Sequence, residues 1–181
     1  AVFDIKKLDW INNQYIKKLT IDELCEKSLE FFEQKVFYIS WKAEHETWSE
    51  KNKKEYLKKV LTVEQGRLVS LSQAGEGDQY FFKDNFNYSK DDTRWKKSSD
   101  NETEKSLEKS LKVLEDISDW EKEKIEEVLL KEAGDKRGDL LFPLRWALTG
   151  QKFSPTPFEV AWVLGKEESA KRIKKGIALF Q

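Results

Sequence analysis

Apolar residues recur along this chain at three- and four-residue spacings and rarely alternate, a pattern that predicts helix after helix and a nearly all-α fold. The first helix sets Ile5, Leu8, Ile11, Tyr15, Ile16 and Leu19 on one stripe and ends near Thr20. Thr20-Ile21-Asp22-Glu23 then forms a capping box: the Thr hydroxyl accepts a free backbone N–H and the Glu reaches back to the cap. It opens a helix through Leu24, Leu29 and Phe32. Val36 to Trp48 is less regular, and Ser49 caps a helix through Tyr56 and Leu57. Thr62-Val63-Glu64-Gln65 repeats the box pattern and predicts a helix carrying Arg67, Leu68 and Leu71, broken by Gly75-Glu76-Gly77. That break is the best internal boundary in the pattern.

An aromatic cluster follows, Tyr80-Phe81-Phe82 with Phe86 and Tyr88, and then a polar stretch from Ser89 to Asn101 whose main apolar residue is Trp95. The stretch reads as a loop or a ragged helix start. Helices are predicted from about Glu102 to Leu114 and, behind a box at Ser118-Asp119-Trp120-Glu121, from Asp119 to Ala133 with Gly134 as the stop. Leu140 to Gly150 reads as a mostly apolar helix with Pro143 near its start. Arg145 interrupts that apolar run, and a buried-face guanidinium needs a partner, either a carboxylate or an external anion or base edge. Thr156 as cap, Pro157 at the first helical position and Glu159 completing the box start a helix that runs to Leu164 and stops at Gly165. The last helix, Lys166 to Phe180, turns Ala170, Ile173, Ile177 and Phe180 inward and Lys171, Arg172, Lys174 and Lys175 outward.

Composition narrows the function classes. Across 181 residues there is one Cys, one His and no Met. A lone Cys25 cannot form an internal disulfide, and Cys25 with His45 cannot supply the ligands of a structural zinc, which points to a reducing, cytoplasmic compartment. No run approaches the roughly 18 apolar residues of a membrane span. The start, Ala1-Val2-Phe3-Asp4-Ile5-Lys6-Lys7, lacks an initiator Met and the layout of a signal peptide, and reads as an excised piece of a longer protein. The 11 Phe, 7 Trp and 5 Tyr supply ample bulk for real cores despite 37% charged residues.

The net charge of -1 hides an uneven spread: residues 100–136 hold 13 acidic and 7 basic groups, whereas 143–181 hold 7 basic and 3 acidic. The basic end could meet phosphates, and the acidic segment would face away from a polyanion. Catalytic hardware is missing from the pattern. His45 stands between Glu44 and Glu46 as a surface residue, no glycine loop of the phosphate-cradling kind is present, and carboxylate pairs such as Glu126-Glu127 read as solvated helix faces.

Two segments go beyond generic helices. Phe3-Asp4, Lys7-Leu8, Trp10, Asn12 and Tyr15-Ile16 fill every fixed position of an F-D-x-x-K-L-x-W-x-N-x-x-Y-[IL] stretch. Pro143-Leu144-Arg145-Trp146-Ala147-Leu148-Thr149-Gly150, Ser154-Pro155 and Leu164-Gly165-Lys166-Glu167 follow a P-L-R-x-A-L-T-G, proline turn and L-L-G-[KR]-E succession. On these motifs the chain resembles the C-terminal anticodon-binding region of bacterial-type glutamyl-tRNA synthetases, over essentially its whole length; Ser89 to Ile117 matches only in helical character.

The resemblance implies an all-α anticodon-binding region in two packed helical subdomains: 1–19 as the tail of the stem-contact region, 20–78 as the first subdomain and 79–181 as the second. It also implies a catalytic domain before residue 1 that uses ATP and Mg, with no cofactor or metal in the present chain. The partner it implies is tRNA-Glu, with tRNA-Gln left open, and the chain is expected to be a monomer without membrane or DNA partners. Arg145 takes the place of the family's Arg that reads the first two anticodon bases. Ser154 and Pro155 stand beside the middle base, Pro157 replaces an apolar Leu at the first, and Arg67 matches the position that contacts the third. Lys7 and Trp10 fall where the family approaches the inner corner of the tRNA. A helical protein-interaction module without RNA binding is the competing reading, and an enzyme in its own right is the third.

Overall fold

A computed structural model describes residues 4–83 and 86–181, so Phe3 of the N-terminal motif lies outside the described residues. The chain divides into two compact units, 1–83 and 84–181. Among the described residues all regular structure is helical, and no helix is long and apolar enough to cross a membrane.

The first unit contains α1 (Ile5–Ile16), α2 (Ile21–Glu33), α3 (Val36–Glu44) and α4 (Glu50–Glu64), followed by single 3₁₀ turns at Gln65–Arg67, Leu71–Gln73 and Gln79–Phe81. The Thr20–Glu23 box forms as the pattern predicts, with Thr20 N donating to Glu23 Oε2 at 2.8 Å. The Thr62 box does not. Thr62 lies inside α4, where its hydroxyl donates to the Lys58 carbonyl four residues back at 2.8 Å, so the helix continues to Glu64 and the predicted helix beyond it is replaced by the 3₁₀ turns. Phe82 closes the core of this unit, with its ring centroid 5.4–5.6 Å from those of Phe32, Phe37, Tyr38 and Trp41. Gly75-Glu76-Gly77 therefore follows a 3₁₀ turn rather than a helix and does not end the unit. His45 is half-buried rather than on the surface: its Nδ1 lies 2.9 Å from the Trp41 carbonyl and its ring packs between Trp41 and Trp48.

Of the predicted α1 stripe only Ile16 is buried, together with Asn13, while Ile5, Leu8 and Tyr15 are exposed. Polar bonds tie α1 to its unit. The Asn13 amide donates to the carbonyls of Gly66 (3.1 Å) and Leu68 (2.7 Å), and Gln65 Nε2 donates to those of Ile16 and Leu19, both at 2.9 Å. The Ile16 carbonyl, at the end of α1, also accepts from Leu19 N at 3.1 Å.

The second unit comprises α5 (Lys90–Thr93), α6 (Asp100–Glu115), α7 (Lys122–Ala133), α8 (Arg137–Thr149), α9 (Pro157–Leu164) and α10 (Lys166–Ile177). α6 packs on α8 and α10, and α7 on α9. The polar stretch after Ser89 is more ordered than the pattern suggests, because Ser89 with Asp92 and Ser99 with Glu102 are both complete capping boxes. The box predicted at Ser118 is absent. Trp120 instead turns its indole N–H to the Ala161 carbonyl (3.2 Å), and α7 starts at Lys122 without a side-chain cap. α8 begins at Arg137, so Pro143 sits in the middle of the helix rather than near its start.

Gly138, in the first turn of α8, is where Trp95 docks; its indole also packs against Phe142, with ring centroids 4.9 Å apart. A Cβ at 138 would overlap the indole. Gly138→Ala is expected to destabilise the second unit by roughly 1–3 kcal/mol, the usual cost of overpacking, in spite of alanine's better helix propensity. Thermal unfolding that is unchanged or raised by this substitution would refute the packing argument.

The last helix corrects one expectation outright. Arg172 is not on its outer face but 3% exposed. Its Nε donates to Glu168 Oε1 and its Nη1 to the Leu148 carbonyl, both at 2.7 Å, and its guanidinium lies 5.1 Å from the centre of the Phe86 ring. The buried positions of α10 are Ser169, Arg172, Ile173, Gly176 and Ile177, spaced three and four apart. Two small residues complete the inner stripe, and it passes through 172.

Candidate nucleic-acid interface

In the second unit the chain from α8 to α9 is held at both ends. α8 closes on Gly150, which adopts the left-handed conformation (φ 65°, ψ 21°), with a Cβ at that position coming to 2.5 Å from Phe86 Cβ. The Thr149 hydroxyl donates to the Arg145 carbonyl at 2.7 Å and accepts from Gln151 N at 3.1 Å. At the far end Thr156 accepts from Glu159 N, Glu159 reaches back to Thr156 N at 2.9 Å, and Pro157 occupies the first helical position of α9.

Arg145 joins the two ends. Its Nη1 lies 2.7 Å from each of three acceptors, the Ser154 carbonyl, the Ser154 hydroxyl and the Pro155 carbonyl. One shared nitrogen thus supplies donor density to a turn whose proline has no N–H of its own. Among the partners of this Arg are backbone and hydroxyl oxygens nine and ten residues further along the chain, in the loop that follows α8. Arg145, Ser154 and Pro155 are brought into direct contact, and Pro157 follows, buried.

Between these fixed ends Gln151, Lys152 and Phe153 are exposed. Phe153 is 76% exposed, and the Lys152 ammonium lies 5.6 Å from its ring centre. A flat apolar face with a neighbouring cation, on a loop braced at both ends, can take a stacked base and an adjacent phosphate. Phe153 lies outside the motifs named above, although a large aromatic between a helix-ending Gly and a proline turn is a usable signal in the sequence.

Arg67 belongs to the first unit and ends the 3₁₀ turn after α4. Its side chain is 48% exposed, with Nε 3.4 Å from Glu64 Oε2. Glu64 is buried, and its Oε1 accepts from the Tyr80 hydroxyl at 3.1 Å. Asp78 is buried near this group. Burial, and then the repulsion of Glu64, push its carboxyl up to about 7 against the pull of backbone N–H bonds. Burial likewise pushes the Tyr80 phenol far up. Lys7 and Trp10 lie on α1, both exposed, Trp10 at 63%.

The basic end of the chain is largely committed to internal partners. Lys166 donates to the Ile117 carbonyl (2.8 Å), Lys171 pairs with Glu168 (3.5 Å), Lys174 pairs with Glu115 (3.0 Å), and Arg172 is buried.

Relatives and solved structures resemble the chain over nearly its whole length. The glutamate–tRNA ligase of Clostridium acetobutylicum is 34% identical over 187 residues, covering 98% of this chain and 35% of its own length. Glutamate–tRNA ligase 2 of Thermoanaerobacter pseudethanolicus is 28% identical, covering 100% of this chain and 36% of its own length. The chain thus spans about a third of the length of these relatives. The crystal structure of a glutamate tRNA ligase from Elizabethkingia meningosepticum, in complex with its amino acid, shares the fold with a TM-score of 0.70 at 22% identity, over 100% of this chain and 34% of that one. Residues 23–177 match the family described as an anticodon binding domain, and the chain belongs to that family.

Proposed function

We propose that this chain is the tRNA-binding part of a glutamate–tRNA ligase and reads the anticodon of tRNA-Glu. The observation that carries the reading is the Arg145 guanidinium drawn onto the Ser154-Pro155 turn, which makes a rigid loop of the kind that sequence-specific RNA recognition requires. Splayed anticodon bases would meet the backbone and side-chain groups of that loop, with Phe153 as the stacking face and Lys152 beside a phosphate. Arg67 would address the third base from the first unit, and Lys7 and Trp10 the inner corner of the tRNA. Glutamate activation with ATP and Mg belongs to a catalytic part outside residues 1–181, and no residue of this chain is assigned to either. The setting is cytoplasmic, the chain a monomer.

The test is titration of the chain with anticodon stem-loops of tRNA-Glu and tRNA-Gln at two salt concentrations. A preference for the glutamate anticodon is expected, and Arg145→Ala should cut it by roughly 10-fold or more, since an ordered donor set at a base edge contributes about 1–3 kcal/mol of discrimination. Phosphate contacts should persist in the variant and weaken with salt. Equal affinity for all anticodons, in the chain and in the complete protein, would refute anticodon reading.

A further inference from the structure

The exposed guanidinium of Arg67 rests on a support built from three directions. Its backbone is gripped on both sides by one amide: Asn13 Nδ2 donates to the carbonyl of Gly66 before it and of Leu68 after it, at 3.1 and 2.7 Å. Asn13 is itself buried on α1, so this amide satisfies two peptide oxygens at once where water does not reach freely. Gln65 returns two bonds to the end of α1, which makes the attachment reciprocal. The side chain is held from below: Glu64 Oε2 faces Arg67 Nε, while Glu64 Oε1 is held by the Tyr80 hydroxyl. Among the described residues Glu64 is the ion-pair partner of Arg67. Contact through Nε leaves the terminal Nη edge, the fork that suits paired acceptors, on the exposed end.

Such a mount is more than packing requires. An exposed Arg at a turn needs no buried carboxylate beneath it, and burying a carboxylate beside Asp78 is unfavourable unless something specific is gained. We infer that Asn13 and Glu64, the latter through Tyr80, are positioning residues that fix the Arg67 guanidinium in the orientation that discriminates the third anticodon base. This rests on the proposed anticodon-reading function and deepens it. It ascribes part of the specificity to α1, a helix that would not itself touch the base.

The experiment uses stem-loops identical except for the third anticodon base, C for glutamate and G for glutamine. Binding is measured with the chain, and glutamylation kcat/KM with the complete ligase that carries it. Arg67→Gln, Glu64→Gln, Tyr80→Phe and Asn13→Ala are compared singly, and the last three again in the Arg67→Gln background. Glu64→Gln keeps the shape and an acceptor, Tyr80→Phe removes only a hydroxyl, and circular dichroism identifies any variant that has lost its fold. The expected result is a drop in the C-over-G preference of roughly 10-fold in Arg67→Gln, the scale of one lost base contact. Smaller drops in the same direction should follow in the three support variants, with no further drop in the doubles and an unchanged preference at the middle base. If Arg67→Gln leaves the preference intact, the reading of Arg67 as a base contact fails. If Arg67→Gln abolishes it while the folded support variants keep it, or if their effects add to it, the positioning inference is overturned.

Discussion

An Asp78→Asn variant should outlast the unchanged chain in urea at pH 8 and match it near pH 4, with the first unit responsible for the difference. Asp78 is 3% exposed, and its Oδ1 has no hydrogen-bond partner among the described residues. Its carboxyl is pushed from the ordinary 3.8 up to about 7, first by burial and second by the charge of Glu64. Between those values the folded chain keeps a proton that the unfolded chain has released, so the free energy of unfolding falls as pH rises from about 4 to 7 and is flat beyond. The whole loss is at most about 4 kcal/mol, and asparagine, which resembles the protonated acid, should escape it. Exposed carboxylates held low by partners, such as Asp22 beside Lys58 and Glu23 on its cap, act in the opposite sense at lower pH. The comparison must therefore be between the two proteins at each pH. Urea midpoints with segment-resolved hydrogen exchange over α2 and α4 would measure it, and an identical pH slope in both proteins would remove Asp78 as the source.

The second large effect is expected at Arg172→Leu. This substitution takes a donor from the Leu148 carbonyl at the end of α8 and from Glu168 Oε1 on α10, leaving Glu168 the longer contact from Lys171, and removes the cation beneath Phe86. Breaking a buried pair on one side typically costs 3–5 kcal/mol; Glu168 retains some contact with water, so about 3 kcal/mol is the expected loss, confined to the second unit. Function should suffer beyond stability. Leu148 is the last residue but one of α8, and the loop built on Thr149 and Gly150 inherits whatever freedom its carbonyl gains. Arg172→Lys, which keeps the charge without the fork, should recover part of the stability and little of the proposed anticodon preference. A loss below about 1 kcal/mol on the usual core scale, or one that spreads into α2 and α4, would contradict this account.

The helical class and several helix ends were legible because they depend on local chemistry. The boxes at Thr20 and Thr156 each place a hydroxyl and a carboxylate three apart beside an apolar run. A similar spacing misled at Thr62, where the third residue on is the amide Gln65, and at Ser118, where it is Glu121, since a chain this rich in polar residues produces it by chance and further contacts decide which instance is used. At Thr62 the helix was already running; at Ser118 the Trp120 indole was claimed by α9. Arg172 falls outside a stripe that runs through Ala170, Ile173, Ile177 and Phe180, apolar residues alone. Ser169 and Gly176 carry it as well, and with them 172 falls inside. The loop after α8 was visible as a motif, but the partners of Arg145 were not, since a guanidinium bonding backbone oxygens nine and ten residues ahead leaves no compositional trace. The Asn13 amide, acting across more than fifty residues, was equally invisible.

That Arg145 stands in α8 and yet braces the loop beyond it bears on any attempt to retarget that loop. A loop spanning only 150–157, grafted onto a sibling scaffold, would arrive with two carbonyls and a hydroxyl oriented toward a donor that stayed behind. The smallest portable cassette runs from Arg145 to Glu159, brace and cap included, and libraries aimed at a new trinucleotide should randomise positions 151–153 while leaving both bookends untouched.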